Sequence, residues 1–308
     1  MITKREITYK SFGRCLEISN GIVAAVVTLD VGPRVIRYSF VDGENVMFED
    51  NDRVFFEKGE AFDRAFGIGS VWYTYGGHRL WTSPEGYPRS YYPENSPVPY
   101  TSTERGAIFS PAAQNWTGYQ YEIEIEMSED SSDTAVRMRI TNRAAWPVTL
   151  APWGISALTA GGTIVVPMPE TNTGVLPNRH ISLWSYDRMT DPRFKMLDKY
   201  LILRQDPDDD GSPFKFGLGS EHGYAMFFVH GDMFLKRFEA KRNGNYPDGG
   251  MSFESYTNNL FIEMESLGEL VTLNCGETAE HTETWSLLRA PMPELNDIAI
   301  DEFIKKNI

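Results

Sequence analysis

Glu254 stands in the middle of a strand-like run, YPDGGMSFESYTNNLF, from Tyr246 to Phe261. On a strand alternate side chains share a face, so Ser252, Glu254, Tyr256 and Asn258 fall on one side and Phe253 and Ser255 on the other. A wholly polar face around one acid suits the lining of a cleft. A positioned carboxylate there can move a proton to or from a hydroxyl. A second stretch, Val71 to Tyr100, gathers Trp72, Tyr73, Tyr75, Trp81, Tyr87, Tyr91, Tyr92 and Tyr100 among glycines and prolines. Aromatic residues in loops are either core plugs or stacking platforms for a ligand. Sugars fit such platforms, because they present apolar C–H faces and polar edges.

Charged residues recur beside these aromatics. Arg79 follows His78 in the turn Gly76-Gly77-His78-Arg79-Leu80-Trp81, and His78 reads as functional in that setting. Lys236, in GDMFLKRF, shares a strand face with Phe234 and Phe238. Burying such a lysine is costly without a partner. It either snorkels to solvent or pairs with an acid such as Glu254 or a ligand carboxylate, and Lys215 in PFKFGLG presents the same choice. Two such lysines suggest a ligand that carries a carboxylate or phosphate. Hydrolysis would want a second carboxylate about 5–10 Å from the first, and Glu85, Glu94 and Glu170 are available in loops.

Other patterns carry less. The run Asp206-Pro207-Asp208-Asp209-Asp210-Gly211 opens like a calcium loop, but the twelfth position would be Gly217 in place of a bidentate Glu. A solvated acidic turn is the simpler reading. No metal ligand set is expected, since His180, His222, His230, His281 and Cys15 lack zinc-site spacing. Neither a nucleophile elbow nor a phosphate-cradling glycine loop is present, and no cofactor is implied.

The elements that must position these residues are strands. Tyr119, Tyr121, Ile123, Ile125 and Met127 alternate with Gln120, Glu122, Glu124 and Glu126. Past the polar turn 129–133, Val136, Met138 and Ile140 alternate with Arg137, Arg139 and Thr141, which predicts a hairpin with cross-strand Glu–Arg pairs. Ile22 to Leu29 and Val35 to Val41 form another pair around the turn 30–33. Further strands are expected at Thr163 to Val166, Leu201 to Leu203, Tyr224 to His230, Met233 to Phe238, Leu260 to Met264 and Thr282 to Leu288. Only Pro293 to Lys306 reads as a helix, with Leu295, Ile298, Ile300 and Phe303 as its apolar stripe. The expectation is an all-β chain: a large antiparallel β-sandwich with a short C-terminal helix, one domain over 1–308.

The order of elements resembles the C-terminal end of the galactose mutarotase-like superfamily. An acid on a strand, a Thr/Asn turn, an apolar-acidic strand and LVTLNCGET, Leu270 to Thr278, lead into a last aromatic strand. The resemblance implies a supersandwich fold with a sugar site, Glu254 as the general base of an aldose 1-epimerase-like isomerase, and Arg79 as a sugar contact. Arg79 pairing with a nearby acid is the alternative. The segment Ala144 to Pro169 resembles the one that supplies the family's catalytic histidine, but Pro152 and Trp153 occupy that place here. His78 or Lys236 would then supply the acid. Trp153, Trp81, Tyr75 and Tyr256 would contact the sugar with Lys215 and Lys236. A non-catalytic sugar-binding module, or a lyase or hydrolase acting on acidic sugars, fits the same cleft.

Charge narrows the partners. With 29 Lys and Arg against 43 Asp and Glu, the net charge is -14. Such a chain repels nucleic acid and anionic membrane, whereas a small carbohydrate is indifferent to it. The N-terminus MITKREITYK has no apolar core segment, no run is long enough to span a membrane, and two cysteines make no disulfide framework. A cytoplasmic setting is expected.

Overall fold

The structure, a computed structural model, describes residues 1–308. Strands dominate because the chain alternates apolar and polar residues, and they assemble into an 11-stranded sheet, a 10-stranded sheet and a separate 2-stranded ribbon. The ladders are antiparallel throughout, and the core lies between the two large sheets. No helix is long and apolar enough to cross a membrane.

The hairpin anticipated from alternation forms between Tyr119–Met127 and Thr134–Asn142, with Glu122 opposite Arg139 and Glu124 opposite Arg137. Arg139 reaches Glu122 at 2.7 Å and Glu124 at 2.8 Å. Its apolar positions, among them Ile125, Val136 and Met138, join the core.

The centre of the 11-stranded sheet departs from expectation. The stretch Val71 to Tyr100, read as loop, contains the strand Gly77–Ser83, buried along its whole length. It pairs with the equally buried Val148–Leu158. A strand covered on both faces shows no alternation, so its periodicity is invisible in sequence. Gly76 and Gly77 are needed at its start. Both have positive φ, and a Cβ at Gly77 would lie 2.3 Å from the Val35 carbonyl oxygen.

The C-terminal helix spans Asp297–Asn307, beginning four residues later than expected because Asn296 caps it, its side chain accepting from the Ala299 amide at 3.0 Å. Ile300 and Phe303 pack on the 10-stranded sheet, but Ile298 is exposed and leaves the anticipated stripe. A short helix at Glu60–Phe66 had no sequence signal strong enough to anticipate it.

Candidate functional site

Five neighbouring strands build the floor of a cavity of about 280 Å³ on the face of the 11-stranded sheet turned away from the core. The register sets its contents. Arg79 lies opposite Ile155, Ile155 opposite Glu265, and Glu265 opposite Glu254. One step along, Glu263 faces Tyr256 and Tyr256 faces Lys215. Directly opposed residues share a face, so the register brings Arg79, Glu263, Glu265, Glu254, Tyr256 and Lys215 to one side. Trp81 and Trp153, paired across the two central strands, complete the floor. The 2-stranded ribbon, which carries Trp72, and the loops raise the walls: Phe55, Trp72 and Thr74, then Glu85 and Tyr91, then Trp184 and Tyr186.

The charges form two linked pairs. Arg79 Nη1 lies 3.0 Å from Glu263 Oε1, and its guanidinium sits over the Trp81 ring at 4.6 Å. Lys215 Nζ is 2.8 Å from both Glu254 Oε2 and Glu265 Oε2, and stands between the rings of Trp153 and Trp184 at 4.7 and 4.9 Å. Its contact with Glu265 is a hydrogen bond, whereas that with Glu254 has ion-pair distance without hydrogen-bond alignment. Burial raises the carboxyls of both Glu254 and Glu265 above the usual range, against the pull of the Lys215 ammonium. Despite its own burial, Lys215 is held well above an ordinary lysine by the two carboxylates.

Several polar atoms here have no hydrogen-bond partner in the protein. They are Nε1 of Trp72 and Trp153, Nε of Arg79, the Thr74 hydroxyl and Glu265 Oε1, and all five residues line the cavity. A buried group left unpaired costs about 1–3 kcal/mol. A cluster of them in one cavity therefore calls for partners from outside the chain, water or ligand.

Of the residues singled out from sequence, Arg79, Trp81, Trp153, Lys215 and Tyr256 line the cavity together. Glu254 lies on the same face beside Glu265 but does not line the cavity; it is fully buried and linked to it through Lys215. Tyr75 is elsewhere: its hydroxyl donates to Asn95 at 2.6 Å and its ring packs with Phe12 and Ile36. His78 and Lys236 are separated from the cavity by the sheet itself. His78 precedes Arg79 on the same strand, so it points to the opposite face.

There it meets a second buried polar group. Lys236 Nζ donates to Glu283 Oε1 at 2.9 Å and to the Met264 carbonyl at 3.0 Å. Ser266 and the Trp285 indole also donate to Glu283, at 2.5 and 2.6 Å, and His281 Nε2 lies 2.6 Å from Ser266 Oγ. His78 Nδ1 is 2.9 Å from Ser156 Oγ. Burial pushes His78 down to about 3 and His281 to about 4. Glu283 goes down to about 2 although burial opposes it, because Lys236, His78, His281 and the Ser266 hydrogen bond together outweigh that effect. Lys236 therefore takes Glu283 as its partner in place of Glu254.

Of the loop carboxylates, Glu85 lines the cavity, while Glu94 pairs with Arg34 at 2.6 Å and Glu170 lies near Lys199. The acidic turn is engaged locally, Asp209 with Arg193 and Asp210 with Arg188. Sequence reading passed over Glu263 and Glu265, whose signal was two acids spaced by one in IEMES, on a strand joined to that of Glu254 by a short turn. Trp184 and Tyr186 had no comparable signal.

No protein-family model matches the sequence, and no curated protein does. Solved structures do. A galactose mutarotase-like protein from Lactobacillus casei superposes with TM-score 0.52 at 11% identity, over 89% of this chain and 100% of that one. The fold is galactose mutarotase-like. A TPR-domain containing protein from Parabacteroides distasonis superposes with TM-score 0.63 at 13% identity, over 91% of this chain. The chain spans about half of that protein, 48% of its length. At such identities the likeness carries the mutarotase-like fold and no further property.

Proposed function

We propose that this chain binds a carbohydrate in the cavity between Trp72, Trp153 and Trp184. The observation that carries the reading is the cluster of unpartnered buried polar atoms set among aromatic faces. The indole N–H groups and Arg79 Nε suit sugar oxygens, Glu265 Oε1 suits a donor, and the rings suit C–H faces. A mutarotase-like fold agrees with a sugar ligand by analogy. Saturation-transfer NMR with a panel of aldoses tests it. Transfer to a sugar that weakens in Trp153→Phe, which removes the indole donor, supports the reading; no transfer from any sugar defeats it.

A second reading, aldose 1-epimerase-like catalysis, is favoured by the raised carboxyl of Glu265 facing the cavity. A carboxylate takes the proton of the anomeric hydroxyl while an acid protonates the ring oxygen, the ring opens, and reclosure gives the other anomer. The resemblance in sequence assigns the base to Glu254. Lining the cavity makes Glu265 the residue that touches the sugar, with Glu254 sharing Lys215 beside it. The acid would be a cavity tyrosine, since His78 lies across the sheet. Exchange NMR decides: faster anomer exchange with protein, lost in Glu265→Gln, supports catalysis. Binding without faster exchange leaves a sugar-binding module.

A further inference from the structure

Three carboxylates and two cations line the cavity: Glu85, Glu263 and Glu265 against Arg79 and Lys215. Both cations are already taken. Arg79 is held by Glu263 at 3.0 Å, and Lys215 by Glu265 and by Glu254 beside it on the same face. The pair of lysines that suggested an acidic ligand from sequence therefore has no positive charge to spare, because Lys236 is on the other side of the sheet and Lys215 is shared by two acids. The negative charge is what remains. Glu265, fully buried, lines the cavity with its Oε1 left without a partner, and Glu85 is held by no cation, only by the Tyr91 hydroxyl.

A carboxylate so placed gains most from a charged donor, since a hydrogen bond between ions is about twice as strong as a neutral one. The tryptophan walls add to this, because their ring faces attract cations as they already attract Lys215 and Arg79. A carboxylate or phosphate on the ligand would meet like charge there. The unpartnered indole donors still require ligand oxygens, which a bare amine does not offer.

Resting on the carbohydrate reading, we infer that the ligand is an amino sugar whose protonated amine pairs with Glu265. Its hydroxyls take the indole and guanidinium donors, and its apolar face lies against the tryptophans.

The test compares ligands on the unaltered protein at neutral pH and moderate salt. Titration calorimetry is run with a hexosamine, the parent hexose, its N-acetylated form, the matching uronic acid and ethanolamine. The hexosamine should bind about tenfold or more tightly than the hexose, the difference one charge-assisted hydrogen bond makes. N-acetylation, which removes the charge, should cancel the advantage, and ethanolamine should bind far more weakly. In Glu265→Gln the hexosamine-to-hexose ratio should fall toward one, and in Glu85→Gln, at an exposed position, it should fall less. Hexose binding as tight as hexosamine, or a preference for the uronic acid, overturns the inference and leaves carbohydrate binding intact. Ethanolamine bound as tightly as the hexosamine overturns the sugar part of the inference. Failure of every sugar to bind overturns both readings together.

Discussion

Lys236 and Glu283 meet at 2.9 Å between the two sheets with no exposed surface on either side chain. Lys236 also holds the Met264 carbonyl, and Glu283 holds Ser266, so the pair grips the Ile262–Leu267 strand on both sides of Glu265. Removing one member strands the other as a buried charge. Lys236→Met and Glu283→Leu should each cost about 3–5 kcal/mol in urea unfolding. The double variant should cost clearly less than the sum. Additive losses would show that the two residues do not act as a pair.

The same cluster sets the response to acid. His78 and His281 are depressed from 6.5 to about 3 and about 4, so below pH 6.5 the unfolded chain binds protons that the folded chain refuses. Their contribution is lost as pH falls through those folded values. Glu283, depressed to about 2, acts in the same direction: its contribution is present above the ordinary 4.5 and lost as pH falls toward 2. The two histidines and Glu283 therefore pull the urea midpoint down as pH is lowered from 6.5 to 4, against the opposite pull of Glu254 and Glu265. His281→Gln should remove part of the downward pull, so its midpoint should move up relative to that of the protein over this range, whereas parallel curves for protein and variant would refute the assignment.

Lys215 makes the opposite prediction. Glu254 and Glu265 have raised carboxyls, so their contribution is present below the ordinary 4.5 and lost as pH rises through the folded values. Lys215 offsets that loss by holding both carboxylates. Lys215→Met should therefore destabilise the protein more at pH 8 than at pH 5, where the carboxyls can take up protons. Thermal melts at the two pH values read this directly. An equal loss at both would mean that Lys215 contributes packing alone.

Trp184 is half-buried at the cavity wall, against Lys215 and outside the main core. Trp184→Ala should weaken sugar binding about two- to tenfold, the range of one aromatic contact, with little change in unfolding midpoint. Tyr75→Phe, which removes the hydrogen bond to Asn95 outside the cavity, should cost about 1 kcal/mol of stability and leave sugar affinity unchanged. The reverse pattern, affinity lost at Tyr75 and kept at Trp184, would move the site.

Much of the architecture was legible in the chain. Alternation in Tyr119–Met127 and Thr134–Asn142 specified a hairpin down to its Glu–Arg partners, because one face of that ladder is wet and the other dry. Glu254 stood out since a carboxylate on a strand with Phe253 on the other face has few structural reasons to be there. The central strand Gly77–Ser83 gave no such signal, being buried on both faces.

Local sequence determined which residues alternate and which types gather near one another: Arg79 beside Trp81, Lys215 among phenylalanines, Glu263 two places from Glu265. Only the tertiary structure decided which side of the sheet each would serve. His78 and Arg79 are neighbours in the chain, yet the pleat sends one into the core and the other into the cavity. Lys236 and Glu283 are 47 residues apart and find each other across adjacent strands. The register that sets Glu254 beside Glu265 depends on a ladder and on its placement against the second sheet. Strand pairing is a long-range choice made by burial, and burial is a property of the assembled sandwich.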